Sequence, residues 1–187
     1  MADSVKLAAD IGKFLSALQR VDSADGPLPG AHNFYRGGSL QTYDAQTREA
    51  IAMLSSRLNA HQALKVWDTA LSEPWMKPPV WVHGDVSVGN LLVQHGKLCA
   101  VIDSGNMAIG DPACDLVIAW AVFDEGAREA FRAEVSVDSA TWARGKGWAL
   151  WKALILAAGL TKSNAYEASR SWEIIHAVLD GRDGGAA

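Results

Sequence analysis

The sequence predicts a mainly α (α+β) protein, a helical body with one small β element near its middle. Three observations carry this. Apolar residues recur at helical spacing over most of the chain. The segment that reads as paired strands is short: Leu91 to Gln94, a turn at His95-Gly96-Lys97, then Leu98 to Ile102. The polar residues that interrupt apolar stretches, His83, Asp85, Asn90, Asp103, Asp111 and Asp115, all fall on or beside that element.

Residues 4 to 20 place Val5, Ala8, Ala9, Ile11, Phe14, Leu15 and Leu18 on one face, which predicts an amphipathic helix. "DSADGPLPGAHNFYRGG" follows, and its glycines and prolines predict a loop. Residues 41 to 59 read as a second helix and 60 to 72 as a third. "SEPWMKPP" breaks the chain with prolines. Val80 to Val82 is short and β-branched, which suits a strand. Helices resume at Pro112 and run, with loops, to about Asp180. Residues 1 to 180 therefore read as one lobe, and "GRDGGAA" (181 to 187) as a frayed tail.

With 187 residues, the chain can bury roughly 70% of its unfolded surface without disulfide or metal staples. A formal charge of −4 argues against a nucleic-acid or anionic-membrane surface and is compatible with a cationic substrate. The eight tryptophans are expected in the core or in groove walls. Cys99 and Cys114 lack metal-ligand spacing and lie in apolar stretches, so both are expected as buried free thiols in a reducing, cytoplasmic setting. "MADSVKLAADIGKFL" has no basic region leading into an apolar run, so it is not a secretory signal. "LVIAWAVF" and "WALWKALILAAGL" are too short to span a bilayer.

The chemistry concentrates in "VWVHGDVSVGNLLV", residues 80 to 93. A hairpin returns the chain to its start, so Asn90 and Asp103 should end side by side at its open end. An amide oxygen and a carboxylate there can share a hard cation. Mg²⁺ is typically held by one or two protein groups together with water and substrate phosphates. Asp85 would face the same space, with no cationic neighbour in sequence, and could accept a proton from a hydroxyl. Taken singly, Asp85, Asn90 and Asp103 also fit Asx-type turn chemistry. Their joint spacing points instead to phosphoryl transfer, where one Asp takes the nucleophile's proton while an Asn and a later Asp hold metal.

"HGDVSVGN" stands where protein kinases carry H-R-D-L-x-x-x-N, and "IDSG" where they carry D-F-G. With "GDPACDLV" following, the three motifs together resemble the aminoglycoside phosphotransferase and choline-kinase-like family, over about residues 1 to 180. "WARGKGWALWKALI" also looks like the C-terminal helices of bacterial members. The resemblance implies a protein-kinase-like C-terminal lobe whose hairpin carries the catalytic and metal loops. It implies Asp85 as general base, Asn90 and Asp103 as Mg²⁺ and nucleotide ligands, ATP as co-substrate, and a small-molecule hydroxyl acceptor such as an aminoglycoside. An acidic wall for a cationic acceptor could come from Asp124, Glu125, Glu134, Glu167 and Glu173.

Bland roles suit the remaining residues. His83 is expected to pack beside the loop and hydrogen-bond backbone. Asp111 before Pro112 reads as a helix N-cap. Asp115 is expected to pair with a buried donor or cap the loop. "HNFYRGG" reads as a loop ordered by its own hydrogen bonds, His61 as a surface residue starting a helix, and "ARGKGW" as a basic turn between helices.

The sequence departs from the family pattern in several places. No G-x-G-x-x-G loop or V-A-I-K-like lysine precedes the catalytic loop, so the family's N-terminal β lobe is expected to be absent. Weak or no kinase activity from this chain alone follows. Ser104 replaces a usual aromatic, and Asn106 stands where a charged residue is common. Only the seven residues 104 to 110 separate Asp103 from Asp111, too few for a long activation loop. Two other readings compete. One is a non-catalytic, degenerate kinase-lobe interaction module, with homodimerisation through apolar surface the missing lobe would cover. The other, a metal-dependent hydrolase, lacks a histidine ligand set.

Overall fold

The computed structural model describes residues 2–162 and 165–180; the predicted tail at 181–187 lies outside them. Among the described residues, seven α-helices pack around one apolar core: α1 (Ala2–Leu18), α2 (Asp44–Met53), α3 (Ala60–Leu71), α4 (Ile118–Ala121), α5 (Glu125–Val135), α6 (Ser139–Ala157) and α7 (Ala165–Leu179). The amphipathic face of α1 lies along α5, with Ile11, Leu15 and Phe131 buried between the two. The Ser16 hydroxyl donates to the Glu134 carbonyl at 2.6 Å across the same seam. The central member is α6, which packs on α7, α3 and α2 and on the 3₁₀ segment Pro112–Val117. Among the described residues, no helix is long and apolar enough to cross a membrane.

The second predicted helix, 41 to 59, is shorter in the structure. A 3₁₀ turn at Leu40–Tyr43 leads into α2, which ends at Met53. The physical reason lies in "SSRLN", residues 55 to 59. Two serines disfavour continuation, and the Asn59 side chain accepts from Gln62 N at 3.1 Å, capping α3 instead.

Among the described residues, four strands form two antiparallel pairs: β1 (Val80–Val82), β2 (Leu91–Gln94), β3 (Lys97–Val101) and β4 (Ala108–Gly110). β2 and β3 make the predicted hairpin, closing with Gln94 opposite Lys97. Its two turn residues, His95 and Gly96, both have positive φ (50° and 71°), as a twist-matched two-residue turn requires. A bulge between Leu92 and Val93 shifts the register. The β1–β4 pair sits outside this hairpin, with Trp81 opposite Ile109. The two pairs are therefore nested. Closing both brings the 83–90 loop against the 102–107 loop.

Two other expectations change. "ARGKGW" is no turn but the interior of α6, with Arg144 and Lys146 buried. Its glycines are there for proximity. A Cβ on Gly145 would meet Leu116 Cβ at 2.7 Å, and one on Gly147 would meet Ala70 Cβ at 2.6 Å. Both cysteines are free, but Cys99 on the hairpin is exposed; only Cys114 is buried, and burial pushes its thiol pKa well up. Of the tryptophans, Trp67, Trp120, Trp142, Trp148 and Trp151 are core residues.

Candidate active site

The loop after β1 is fixed from below. Asp115, at the base of the nested pairs, is 1% exposed and accepts from His83 N at 2.8 Å and Gly84 N at 2.7 Å. Burial, the larger effect, raises its pKa from 3.8 to about 6, against the lowering effect of those two N–H donors. Gly84 has φ +80°, and a Cβ there would lie 2.4 Å from the Asn106 carbonyl oxygen, so only glycine fits. His83 is buried, and its Nε2 lies 3.1 Å from the Ile102 carbonyl oxygen, the backbone role expected of it.

Asp85 is half-buried at the loop's turn. Asn90 Nδ2 donates to the Asp85 backbone oxygen at 2.8 Å and to its carboxylate Oδ2 at 3.1 Å. The amide group thus holds the carboxylate in place and commits its nitrogen. Ile102 N donates to the Asn90 carbonyl at 2.9 Å, which sets Asp103 one residue beyond Asn90 at the hairpin's open end. Asp103 is exposed and takes a left-handed conformation, φ 61°, ψ 65°. Aspartate tolerates that region better than most side chains. Among the described residues, neither the Asn90 amide oxygen nor the Asp103 carboxylate accepts a hydrogen bond. The structure therefore brings Asp85 and Asn90 into direct contact and places the Asp103 backbone one residue past the Asn90–Ile102 pairing. Two hard oxygen donors at an open edge suit Mg²⁺, which needs few protein ligands. No group of three or more His, Cys, Asp and Glu converges on a cage among the described residues.

Three partnerships around the site were not foreseen in the sequence. Asn33, fully buried, accepts from Gly30 N at 2.9 Å and donates to the Arg36 carbonyl at 3.0 Å and the Asn106 carbonyl at 3.3 Å. The "HNFYRGG" loop does order itself, and it also ties down the turn after Asp103. Arg36 lies over the rings of Trp148 (5.1 Å) and Trp151 (5.2 Å). Asp111 is the expected N-cap, accepting from Ala113 N at 3.1 Å, and it also pairs with Arg144 Nε at 2.6 Å in a buried ion pair. Burial raises its pKa more than Arg144 lowers it. A lone arginine on an apolar helix was the available signal for that pair.

A cleft of about 480 Å³ opens beside the loop, walled by residues 86 to 89 and by α4, α6 and α7. None of the acids expected to form a cationic-acceptor wall is among its described lining residues. Asp124 caps α5 through Ala127 N, Glu134 pairs with Lys13 and Glu173 with Arg170. Glu125 is exposed in the first turn of α5, and the Glu167 side chain lies outside what the structure describes.

Two nested antiparallel strand pairs on a mostly helical body are the fold class this chain shows. The solved structures similar to this chain carry the same fold. An apo aminoglycoside phosphotransferase, a thermostable mutant of APH(4)-Ia, superposes with TM-score 0.58 at 18% identity, over 98% of this chain and 68% of that one. A macrolide 2'-phosphotransferase type I gives TM-score 0.55 at 18% identity, over 91% and 59%. APH(2'')-IIa, in a ternary complex with streptomycin and ATP, gives 0.53 at 14% identity, over 95% and 65%. An aminoglycoside 3'-phosphotransferase from Escherichia coli is 40% identical over 52 residues, 28% of this chain and 19% of that protein. The chain belongs to the Phosphotransferase enzyme family, whose sequence model matches residues 1–148. It spans about two thirds or less of these structural relatives' length.

Proposed function

We propose that this chain is the acceptor-side lobe of an ATP-dependent phosphotransferase that phosphorylates a hydroxyl of a small molecule. One observation supports the reading: Asn90 holds the Asp85 carboxylate through its nitrogen, and the hairpin pairs its backbone with Ile102, the residue before Asp103. In the reaction, the acceptor hydroxyl oxygen bonds to the γ-phosphorus as the bond from that phosphorus to the ADP oxygen breaks. The hydroxyl proton passes to the Asp85 carboxylate, which Asn90 keeps aimed. Asn90 Oδ1 and the Asp103 carboxylate would hold Mg²⁺, which supplies charge neutralisation of the phosphates when bound. ATP as donor implies a cytoplasmic setting. One structural relative was solved with streptomycin and ATP, so an aminoglycoside is the first acceptor to test.

The sequence holds no glycine-rich phosphate loop, so the test reads metal binding rather than turnover. Mn²⁺, a paramagnetic stand-in for Mg²⁺, should broaden the amide signals around Asn90 and Asp103. Asp103→Asn and Asn90→Ala should each weaken that effect by about tenfold or more. Broadening centred elsewhere, or unchanged in both variants, would remove the metal roles. In any preparation that does transfer phosphate, Asp85→Asn should cost about 10²- to 10⁴-fold in rate while Mn²⁺ binding persists.

A second reading, an interaction module, draws on the hairpin's outer residues: Leu92 (49% exposed), Val93 (46%) and Ile102 (42%) form apolar surface. Sedimentation velocity across a concentration series decides it, and a persistent monomer counts against self-association.

A further inference from the structure

We infer that the Arg36 guanidinium is an oxyanion site, taking a phosphate or carboxylate group of a small ligand beside the loop that carries Asp85. Such binding requires neither metal nor phosphoryl transfer. The backbone around Arg36 is pinned at every carbonyl from 33 to 37. Asn33 O accepts from Arg36 N at 3.1 Å, Phe34 O from the Tyr43 hydroxyl at 2.7 Å and Tyr35 O from Gly38 N at 2.9 Å. Arg36 O accepts from Asn33 Nδ2 at 3.0 Å, and Gly37 O from Asp111 N at 2.8 Å. Phe34 and Tyr35 both have φ 53°, a left-handed conformation that bulky side chains rarely take. Strain of that kind persists where the surroundings over-determine the backbone, and it clusters at ligand sites. The side chain is treated differently. Among the described residues, its guanidinium makes no hydrogen bond and no ion pair; it lies over the Trp148 and Trp151 rings, 5.1 Å and 5.2 Å from their centres. Rings attract a cation but give its N–H donors no oxygen. The planar fork of donors matches the oxygens of a phosphate or carboxylate. Both rings belong to buried core residues, so the charge rests on a rigid floor where an ionic hydrogen bond is stronger than in water. The stem of Arg36 starts against the loop: a Cβ on Gly84, the residue before Asp85, would lie 3.1 Å from Arg36 Cβ. Burial raises the pKa of Tyr43, Cys114 and Asp115, and the Arg36 charge opposes it at all three, so its field reaches the base of that loop. Asp115 does not neutralise it by pairing, since its carboxylate oxygens accept from His83 N and Gly84 N.

The experiment uses the 187-residue chain without metal or nucleotide and follows the arginine Nε–Hε and tryptophan indole N–H NMR signals. The probes are inorganic phosphate and acetate, each titrated against chloride at constant ionic strength. Arg57 over Trp172 (4.4 Å) and Arg132 over Trp142 (4.9 Å) are internal controls, because each has a ring partner but lies outside the pinned segment. At least one anion should shift the Arg36 signal saturably, well before either control moves. The tighter of the two names the ligand group, phosphoryl or carboxylate. Arg36→Gln should weaken that anion by about tenfold or more, read on the Trp148 and Trp151 indole signals, while Arg57→Gln should leave it unchanged. Far-UV circular dichroism checks folding. If Arg36→Gln misfolds, the comparison of Arg36 with the two control arginines in the wild-type chain decides. No saturable shift from either anion, equal shifts at all three arginines, or binding that survives Arg36→Gln would overturn the inference. Since no metal or nucleotide enters, failure here is distinct from failure of the Mn²⁺ test, which bears on the phosphotransfer reading alone.

Discussion

Asp115 joins the helical base to the loop chemistry, and its burial has a sign that can be tested. The carboxylate titrates near 6 in the folded chain and near 3.8 when unfolded, so the folded state holds its proton more tightly. Its contribution to stability is complete below pH 3.8 and is lost as pH rises toward 6. Across that window each pH unit removes about 1.4 kcal/mol. Asp115→Asn cannot titrate, so the unfolding free energy of wild type minus that of the variant should fall from pH 4 to pH 6 and flatten above pH 7, measured by urea denaturation. A difference that rises over the same range would mean that the two N–H donors outweigh burial. At this scale the sequence was largely readable. The Asp85–Asn90 approach and the hairpin that carries Asp103 to the same end could be read because that spacing is local. The partners of Asp111 and Asn33 could not, because Arg144 lies 33 residues from Asp111 and Asn106 lies 73 residues from Asn33. Long-range pairing of single polar residues leaves no periodicity in the chain.

Among the elements, α6 shows where sequence reasoning broke and why. Two glycines and two basic residues in "ARGKGW" resemble a turn, yet they lie in mid-helix. Glycine usually weakens a helix by about 0.5–1 kcal/mol relative to alanine. Here that cost is offset by the close approach of the 3₁₀ segment and of α3. The substitution should therefore have opposite signs at different glycines. Gly145→Ala and Gly147→Ala should lower the melting temperature, because the added carbons would fall within 2.7 Å and 2.6 Å of Leu116 and Ala70. Gly126→Ala in α5 meets nothing within 4 Å and should raise it by the roughly 1–2 °C that about 0.5 kcal/mol supplies in a chain of this size. If all three substitutions stabilise, the packing described around α6 is wrong. The hairpin shows the converse case. Its turn and short apolar strands are local signals, so β2 and β3 could be placed within a residue or so. The β1–β4 closure could not, since "AIG" at 108 to 110 carries no strand signature until β1 is there to pair with it.

For the whole molecule, the question is whether residues in the α1–α5 layer and those around α6 behave as one body. A single cluster of buried side chains runs from Ile11 and Leu15 on α1 through Phe131 on α5 and Trp142, Trp148 and Leu154 on α6 to Ile175 on α7. The Phe131 and Trp142 rings, 6.4 Å apart, join the two regions. Continuous packing of this kind makes partial opening expensive, because either half alone would expose the other's apolar face. Leu15→Ala and Leu154→Ala remove fully buried side chains from opposite ends of that cluster. Each should cost about 2–5 kcal/mol. The informative result is the shape of the transition rather than its midpoint. Tryptophan fluorescence reports chiefly on the α6 side, where Trp142, Trp148 and Trp151 lie, whereas far-UV circular dichroism reports on every helix. In a one-body lobe the two signals move together in urea for wild type and both variants, with the dependence on urea concentration unchanged. If α1 and α5 formed a separate unit, Leu15→Ala would show an early loss of ellipticity while the fluorescence stayed native. The loop that carries Asp85 and Asn90 sits on this shared base through Asp115, so one-body behaviour would make the geometry of the site depend on the stability of the entire lobe.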